Sequence, residues 1–182
     1  MTRDGAAWGE RSGGARASRS RNRLPYTGAS MPDDLASRFD LPVPDQLGYV
    51  VEDLERALPH YEALFGPFRM SDSALQGVTF RGRQVDCRLR IAVNDSGPWE
   101  IELIQVLGGE TPHTEHLARH GEGLHHVRFR VKGLEERCAA LQAAGFETIF
   151  YKRFEGAGNL AFAYLAAPAE RGGSVIELLE MG

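Results

Sequence analysis

The sequence of 182 residues is poor in several features that would assign it to a particular class of protein. Its two cysteines, Cys87 and Cys138, form no C-x-x-C pair, so we expect buried free thiols in a reducing, cytoplasmic environment and neither a disulfide framework nor a zinc site. No apolar run approaches the roughly 20 residues needed to span a membrane. The net charge of −4 supplies no basic field for nucleic acid or an anionic membrane surface.

Residues 1–44 also lack apolar periodicity, and they are rich in Gly, Arg, Ser and Ala. A segment of this composition buries too little surface to offset its ordering entropy, so we expect a disordered N-terminal extension. Its arginines resemble those of a transit peptide, but Asp4, Glu10 and the missing amphipathic pattern argue against one. Met31 is a plausible second start.

The remainder of the chain contains an internal repeat. The segment QLGYVVEDLERALPHYEALFG begins at Gln46, and HVRFRVKGLEERCAALQAAGF begins 80 residues later at His126. The tripeptide IEL also occurs twice, with its glutamates, Glu102 and Glu177, 75 residues apart. The repeat predicts an α+β fold of two βαβββ modules, at 45–110 and 123–182, joined by a linker helix at 111–122.

Each module begins with an extended run and continues with a helix. In the first module, Asp53 is a plausible N-cap, and Pro59 lies inside the predicted helix, where it removes a backbone hydrogen bond. In the second module, Gly145 is placed to end the helix. The strands expected after these helices are 78–93, 99–106, 148–154, 160–166 and 174–180.

Four polar residues occupy duplicated positions in this pattern. Glu102 and Glu177 lie within apolar, strand-like runs, where an unpaired carboxylate would cost several kcal/mol or take up a proton. Gln46 and His126 each open the first strand of a module. If the modules face each other, two carboxylates, an imidazole and an amide oxygen can converge as ligands of a divalent metal. His125 should point to the opposite face and is the poorer candidate.

The motifs QLGYVVEDLERALPHYEALFG, IELIQ, GEGLHHVRFRV and GSVIELLE resemble the vicinal oxygen chelate superfamily, which includes glyoxalase I, methylmalonyl-CoA epimerase, extradiol dioxygenases and bleomycin-resistance proteins. The resemblance covers about residues 45–180 and implies a cup-shaped mixed β-sheet around a divalent ion (Zn, Ni, Co or Mn). The implied ligands are Gln46, Glu102, His126 and Glu177. This set is similar to that of zinc-type glyoxalase I, whereas the GLHH stretch is closer to the epimerases.

The activity implied by the resemblance is that of a metal-dependent isomerase or lyase. The metal stabilises an enediolate formed from a small 2-oxo or acyl-thioester substrate. Glu177 is the preferred base, and Glu102 would return the proton. Substrate specificity should lie in residues 68–90 and 150–165. The partners that we expect are a small-molecule substrate and a second copy of the chain in a homodimer.

Two other functions remain open at this stage. A relative of the bleomycin-resistance type would bind a drug or metabolite in the cup without catalysis. An extradiol-type dioxygenase is disfavoured, because its iron site uses two histidines and one carboxylate and Gln46 stands in place of the first histidine.

Three further groups of polar residues have weaker interpretations. Arg88 and Arg90 share a strand face, either as solvated surface residues or as receptors for a substrate carboxylate or phosphate. His116 and His120 lie one helical turn apart without a third ligand, so they are interpreted as exposed linker histidines. Asp86 is a weak candidate for the additional acidic base of the epimerases.

Overall fold

The computed structural model describes residues 38–156 and 158–182, and it contains two βαβββ modules. The first module consists of β1 (Gln46–Val50), α1 (Leu54–Phe65), β2 (Arg69–Phe80), β3 (Arg83–Asn94) and β4 (Glu100–Gly108). A linker helix, α2 (Pro112–His120), leads to β5 (Gly123–Val131), α3 (Leu134–Ala143), β6 (Glu147–Arg153), β7 (Ala161–Ala166) and β8 (Val175–Glu180). A 3₁₀ turn, Ala169–Arg171, precedes β8. The predicted α+β architecture is confirmed.

The eight strands close into one barrel in the order β1-β4-β3-β2-β6-β7-β8-β5. Each module supplies four adjacent strands. The modules join through the antiparallel β1–β5 pair and through a short β2–β6 contact at Thr79–Tyr151 and Phe80–Phe150. Strands β1 and β5 also pair in parallel with β4 and β8, respectively. As a result β8, β5, β1 and β4 lie side by side, with the repeated motifs at the junction of the modules.

The first module has the predicted number of strands, but two of them have other bounds than the sequence pattern indicated. Residues 78–93 were expected to form one extended stretch, whereas β2 begins at Arg69 and β3 starts after a two-residue turn at Arg81-Gly82. Both turn residues have positive φ values, 45° and 76°, as a type I′ hairpin turn requires. Arginine is a poor signal for the first of these positions, and for that reason the turn was missed.

The helices begin at specific capping interactions. The side chain of Asp53 accepts a hydrogen bond from the backbone N–H of Arg56, as predicted for the start of α1. Pro59 does not interrupt this 12-residue helix. At the start of α2, Thr111 and Thr114 form a reciprocal capping box, and Pro112 and His113 are buried. Helix α2 is thus fixed against the barrel by its first turn.

The packed part of the chain begins before residue 45. Phe39 is only 8% exposed and belongs to the hydrophobic core that includes Leu134 and Leu141 of α3. Arg137 of α3 donates to the backbone carbonyls of Phe39 and Asp40, which fastens this segment to the second module. The predicted boundary at 44 is therefore too late, and residues 1–37 lie outside the described part of the chain.

Two other expectations concern the cysteines and the membrane. Cys87 and Cys138 are buried free thiols, as predicted, and burial raises the pKa of Cys138 to about 12. Among the described residues, no helix is both long enough and apolar enough to cross a membrane.

Candidate metal centre

The four predicted ligands come from four adjacent strands and meet inside the barrel. Gln46 lies on β1, Glu102 on β4, His126 on β5 and Glu177 on β8. The register explains their convergence, since residue 48 of β1 pairs with both Glu102 and His126. Gln46, His126 and Glu177 are at most 7% exposed.

His126 is the centre of this group. Its Nε2 atom lies 3.2 Å from Oε2 of Glu177, 3.6 Å from Oε2 of Glu102 and 3.4 Å from Oε1 of Gln46. One ligand atom each from Glu102, His126 and Glu177 lies within 4.8 Å of the other two. The structure therefore brings together all four residues that the sequence repeat singled out.

Gly48 makes room for the imidazole of His126. A Cβ atom at this position would lie 2.0 Å from Cε1 and 2.3 Å from Nε2 of His126, far inside van der Waals contact. The pairing of β1 with β5 also shifts register next to Gly48, so that the strict alternation of β5 is broken around His125. These two features let His126 turn into the barrel while His125 remains buried beside it.

A buried hydrogen-bond network orients the amide of Gln46. Its Nε2 atom donates to Oε1 of Glu100, which leaves the Oε1 atom of Gln46 facing His126. Arg128 donates to the same Glu100 oxygen at 2.9 Å and makes two hydrogen bonds of 3.0 Å to Asp45. Asp45, Glu100 and Arg128 thus hold the amide oxygen, the atom that ligates metals, toward the centre.

The charges of the centre are strongly coupled. Burial, and then the negative charge of Glu177, raise the pKa of Glu102 to about 8. Arg128 is 6% exposed, and its burial alone would lower its pKa. The hydrogen bond to Asp45 and the charges of Glu177 and Glu100 outweigh this effect, so the pKa of Arg128 is raised above its usual value. Tyr164 has a pKa well above its usual value because of burial and the two nearby carboxylates. Its phenol is therefore a protonated donor.

The donor set fits a divalent d-block ion. Two carboxylates offset the charge of a dication, and their mutual repulsion, seen in the raised pKa of Glu102, is relieved when a cation lies between them. Imidazole and amide oxygen complete a mixed N and O set of the kind that Zn, Ni, Co and Mn accept. Gln46, Glu102, His126 and Glu177 would hold such an ion.

A cavity of about 240 Å³ opens over the carboxylates. Most of its wall is apolar and aromatic, and eight of its thirteen lining residues fall in the two ranges expected to set specificity, 68–90 and 150–165. The lining consists of Ser73, Leu75, Leu89, Ile91, Glu102, Ile104, His113, Phe150, Phe154, Leu160, Phe162, Tyr164 and Glu177. The cavity suits a small substrate with an apolar portion.

Arg88 and Arg90 are not part of this cavity. Their neighbours Cys87 and Leu89 point into the core, which places both arginines on the outer face of β3. Arg90 forms an ion pair with Asp72, at 2.8 Å. Arg88 lines a separate surface cavity, to which Asp86 also contributes. The structure therefore brings neither arginine, nor Asp86, to the carboxylates.

Sequence reasoning missed a group of histidines behind the centre. His113 of α2 is fully buried, and its ring centroid lies 4.7 Å from that of His125. His125 in turn contacts His116, which is half-buried and stacks beside His120. Of the two linker histidines that were expected to be exposed, only His120 is. The burial of the first turn of α2 was the missing information.

Arg128 and Tyr164 were also missed, although Arg128 had a signal in the sequence. It lies two residues after His126 on the same strand, so alternation places both side chains inside the barrel. Tyr164 pairs across β7–β8 with Glu177, and this register could not be read from the sequence.

Comparisons with known proteins agree with this fold. Solved structures that resemble the chain include methylmalonyl-CoA epimerase from Mycobacterium tuberculosis (22% identity, TM-score 0.54, 78% of this chain and 89% of that one). A Streptomyces coelicolor methylmalonyl-CoA epimerase in complex with 2-nitronate-propionyl-CoA is 20% identical (TM-score 0.55, 78% and 96%). At these identities the likeness extends to the fold alone.

Two bacillary proteins are somewhat more similar in sequence. The hypothetical protein BH1468 from Bacillus halodurans C-125 is 27% identical (TM-score 0.55, 76% of this chain and 94% of that one). The uncharacterized protein YqjC from Bacillus subtilis strain 168 is 26% identical over 136 residues (75% and 90%).

A protein-family comparison matches residues 45–164, about two thirds of the chain, to one family description. The matched segment contains three of the four residues of the candidate centre. The chain belongs to the Glyoxalase/Bleomycin resistance protein/Dioxygenase superfamily.

Proposed function

We propose that this protein is a metal-dependent isomerase or lyase of the glyoxalase and epimerase type, acting on a small 2-oxo or acyl-thioester substrate. The observation that carries the proposal is the convergence of Glu102, Glu177 and the Gln46 amide oxygen on Nε2 of His126, with both carboxylates lining a cavity. A divalent cation, when bound there, supplies Lewis-acid stabilisation of the negative charge on two neighbouring substrate oxygens.

Residues of the chain would transfer the protons, orient the ligands and bind the substrate. Glu177 takes the proton from the carbon next to the substrate carbonyl, which leaves an enediolate, and Glu102 returns a proton from the other side. His126 uses Nε2 toward the carboxylates, while its Nδ1 atom lies 3.0 Å from Nδ1 of His125, which fixes the tautomer and the ring orientation. The protonated phenol of Tyr164 lines the same cavity and can donate to a substrate oxygen.

A binding protein without catalysis is the second candidate, favoured by the aromatic wall of the cavity. Phe150, Phe154, Phe162 and Tyr164 form a continuous set of ring contacts there. The two carboxylates in the lining favour the enzyme, however, because an apolar ligand would leave them unpaired. A homodimer in the cytoplasm remains part of our proposal, and sedimentation of the purified protein tests the dimer.

The first experiment compares metal content and proton exchange. We expect the metal-loaded protein to catalyse the exchange of solvent deuterium into a 2-oxo compound or an acyl thioester, at the carbon next to the carbonyl. NMR spectroscopy of the compound measures this exchange. Methylmalonyl-CoA, which the names of the structural neighbours specify, is the first thioester to test. The Glu102→Ala, Glu177→Ala double variant should lose both the metal of this centre and the exchange.

A double variant at two exposed glutamates, Glu136→Ala with Glu170→Ala, is the matched control and should retain metal and exchange. The same measurement is made with His113→Leu added to the double variant, so that the buried histidines of the linker helix cannot bind metal in its place. Full metal occupancy in this triple variant would refute the proposed ligands. Metal-loaded wild type without exchange on any compound would favour the binding protein.

A further inference from the structure

The histidine cluster behind the centre contains a buried imidazole with unmet hydrogen-bonding capacity. Neither Nδ1 nor Nε2 of His113 has a hydrogen-bond partner among the described residues, and the side chain is fully buried. Leaving a buried polar group unpaired costs on the order of 1–3 kcal/mol. An imidazole at this position is therefore a cost to the fold unless a ligand is bound to it.

Two other imidazoles face this ring. One ligand atom each of His113, His125 and His126 lies within 4.8 Å of the other two. The Nδ1 atoms of His125 and His126 are 3.0 Å apart, so at least one of them presents a lone pair to the space between the rings. Five of the six histidines of the chain belong to the contiguous set of rings that includes these three.

We propose that His113, His125 and the Nδ1 atom of His126 bind a second d-block dication, directly behind the carboxylate centre. This second site goes beyond the proposed function, and His126 is the one residue that it has in common with the carboxylate centre. Three neutral imidazoles favour zinc or copper over magnesium or calcium, which prefer oxygen ligands. We take zinc as the cation for the tests.

Zinc binding requires small shifts of the three imidazole rings. Zinc binds imidazole nitrogen at about 2.0–2.1 Å, and tetrahedral angles then place the nitrogens about 3.4 Å apart. The two Nδ1 atoms would separate slightly from 3.0 Å, and the ligand nitrogen of His113, which lies within 4.8 Å of theirs, would move to the same spacing by side-chain rotation. His113 has no hydrogen bond among the described residues that this rotation would break.

His126 can serve both centres because its nitrogens face opposite ways. Nε2 faces Glu177 at 3.2 Å, whereas Nδ1 faces His125. With a cation on each nitrogen, the ring loses its one N–H proton to solvent and becomes an imidazolate bridge. The negative charge of this imidazolate offsets part of the charge of the second cation.

The cluster also has a route to the surface that does not pass through the substrate cavity. His125, His116 and His120 line a cavity of about 290 Å³ on the other side of β5. The ring centroids of His116 lie 5.2 Å from His125 and 5.1 Å from His120, so imidazoles line the path from solvent inward. A cation can therefore reach the three histidines through this cavity.

The test is the zinc stoichiometry of metal-stripped protein after incubation with excess zinc and removal of unbound metal. We expect two zinc ions per chain for wild type and one for His113→Leu. The leucine has a similar volume and removes the unpaired nitrogens, so this variant should fold at least as stably as wild type without zinc. His60→Leu, at an exposed position of α1, is the matched control and should retain two.

A second readout is the number of protons released, measured by calorimetry in buffers of different ionisation enthalpy. Wild type should release one proton more than His113→Leu, because only wild type forms the imidazolate. Unchanged zinc stoichiometry in His113→Leu would overturn the second site. One zinc in wild type and none in His113→Leu would support it and refute the carboxylate centre, so failures of the two proposals are distinguishable.

Discussion

The raised pKa of Glu102 predicts an unusual pH dependence for the stability of metal-free protein. Burial and the charge of Glu177 raise this pKa from 4.5 to about 8. Between these values the folded protein retains a proton that the unfolded chain releases, so stability falls as pH rises, by about 1.4 kcal/mol per pH unit. Most acidic groups with resolved shifts in this structure behave in the opposite way, because their ion pairs lower their pKa values.

The buried histidines limit the window in which this decline is visible. Burial lowers the pKa of His113 to about 3 and lowers that of His125 as well. Below pH 6.5 the unfolded chain binds protons at both histidines that the folded protein does not, so their contribution to stability rises with pH. The two histidines outweigh the one carboxyl group below pH 6.5, and their contribution fades over the next pH unit, so the carboxyl group dominates toward pH 8. Stability should therefore be maximal near pH 6.5.

The expected net loss between pH 6.5 and 8 is about 1 kcal/mol, because the Glu102 proton is already half released at pH 8 and the histidines still add stability just above pH 6.5. Urea denaturation of chelator-treated protein at intervals of half a pH unit measures it directly. Glu102→Gln should remove the decline, and Glu136→Gln, at an exposed position, should leave it unchanged. Saturating zinc should also abolish the decline, because the cation displaces the proton. Stability that is flat or rising over this range in wild type would refute the assigned protonation of Glu102.

Further predictions concern the groups that support the centre. Gly48→Ala places a methyl group against the ring of His126. The variant should bind zinc at least tenfold more weakly, as measured by calorimetry, and should lose about 1–3 kcal/mol of folding stability, as measured by urea denaturation. Gly97→Ala is the control, because an added Cβ there would have no atom closer than 3.7 Å. Arg128→Met removes three hydrogen bonds to the half-buried Asp45 and Glu100, which keep Arg130 as an ion-pair partner, and should cost about 1–3 kcal/mol by the same denaturation assay. An unchanged denaturation midpoint in Arg128→Met would show that the network does not support the fold.

The convergence of the four proposed ligand residues could be predicted from the sequence because the fold repeats itself. A duplicated module places Gln46 and His126, and likewise Glu102 and Glu177, at corresponding positions, so their convergence requires only that the modules meet at their first strands. Helix α1 was equally accessible, since its cap and its apolar stripe are local features. Local patterns repeated twice carry enough information for these predictions.

The parts that were missed depend on long-range register. The ion pairs of Arg128 with Asp45 and Glu100 exist because β1 pairs with β5 in one particular alignment, which composition and periodicity do not encode. The Arg81-Gly82 turn was missed for a local reason, since arginine rarely adopts a positive φ. Register and rare backbone conformations therefore set the limit of the sequence-based description.

The linker helix was also beyond the reach of the sequence pattern, for a different reason. It belongs to neither copy of the repeat, so the duplication gives no information about His113, and HTEHLARH contains no known ligand motif. Its role depends on the capping box at Thr111, which fixes the first turn of α2 against β5 and buries His113 beside His125. The duplicated fold supplies two pairs of corresponding positions for the proposed carboxylate centre, and the linker, which has no copy, supplies His113 for the proposed histidine site. Functional residues that the internal repeat does not predict are therefore best sought where helix α2 contacts the barrel, as His113 does beside His125.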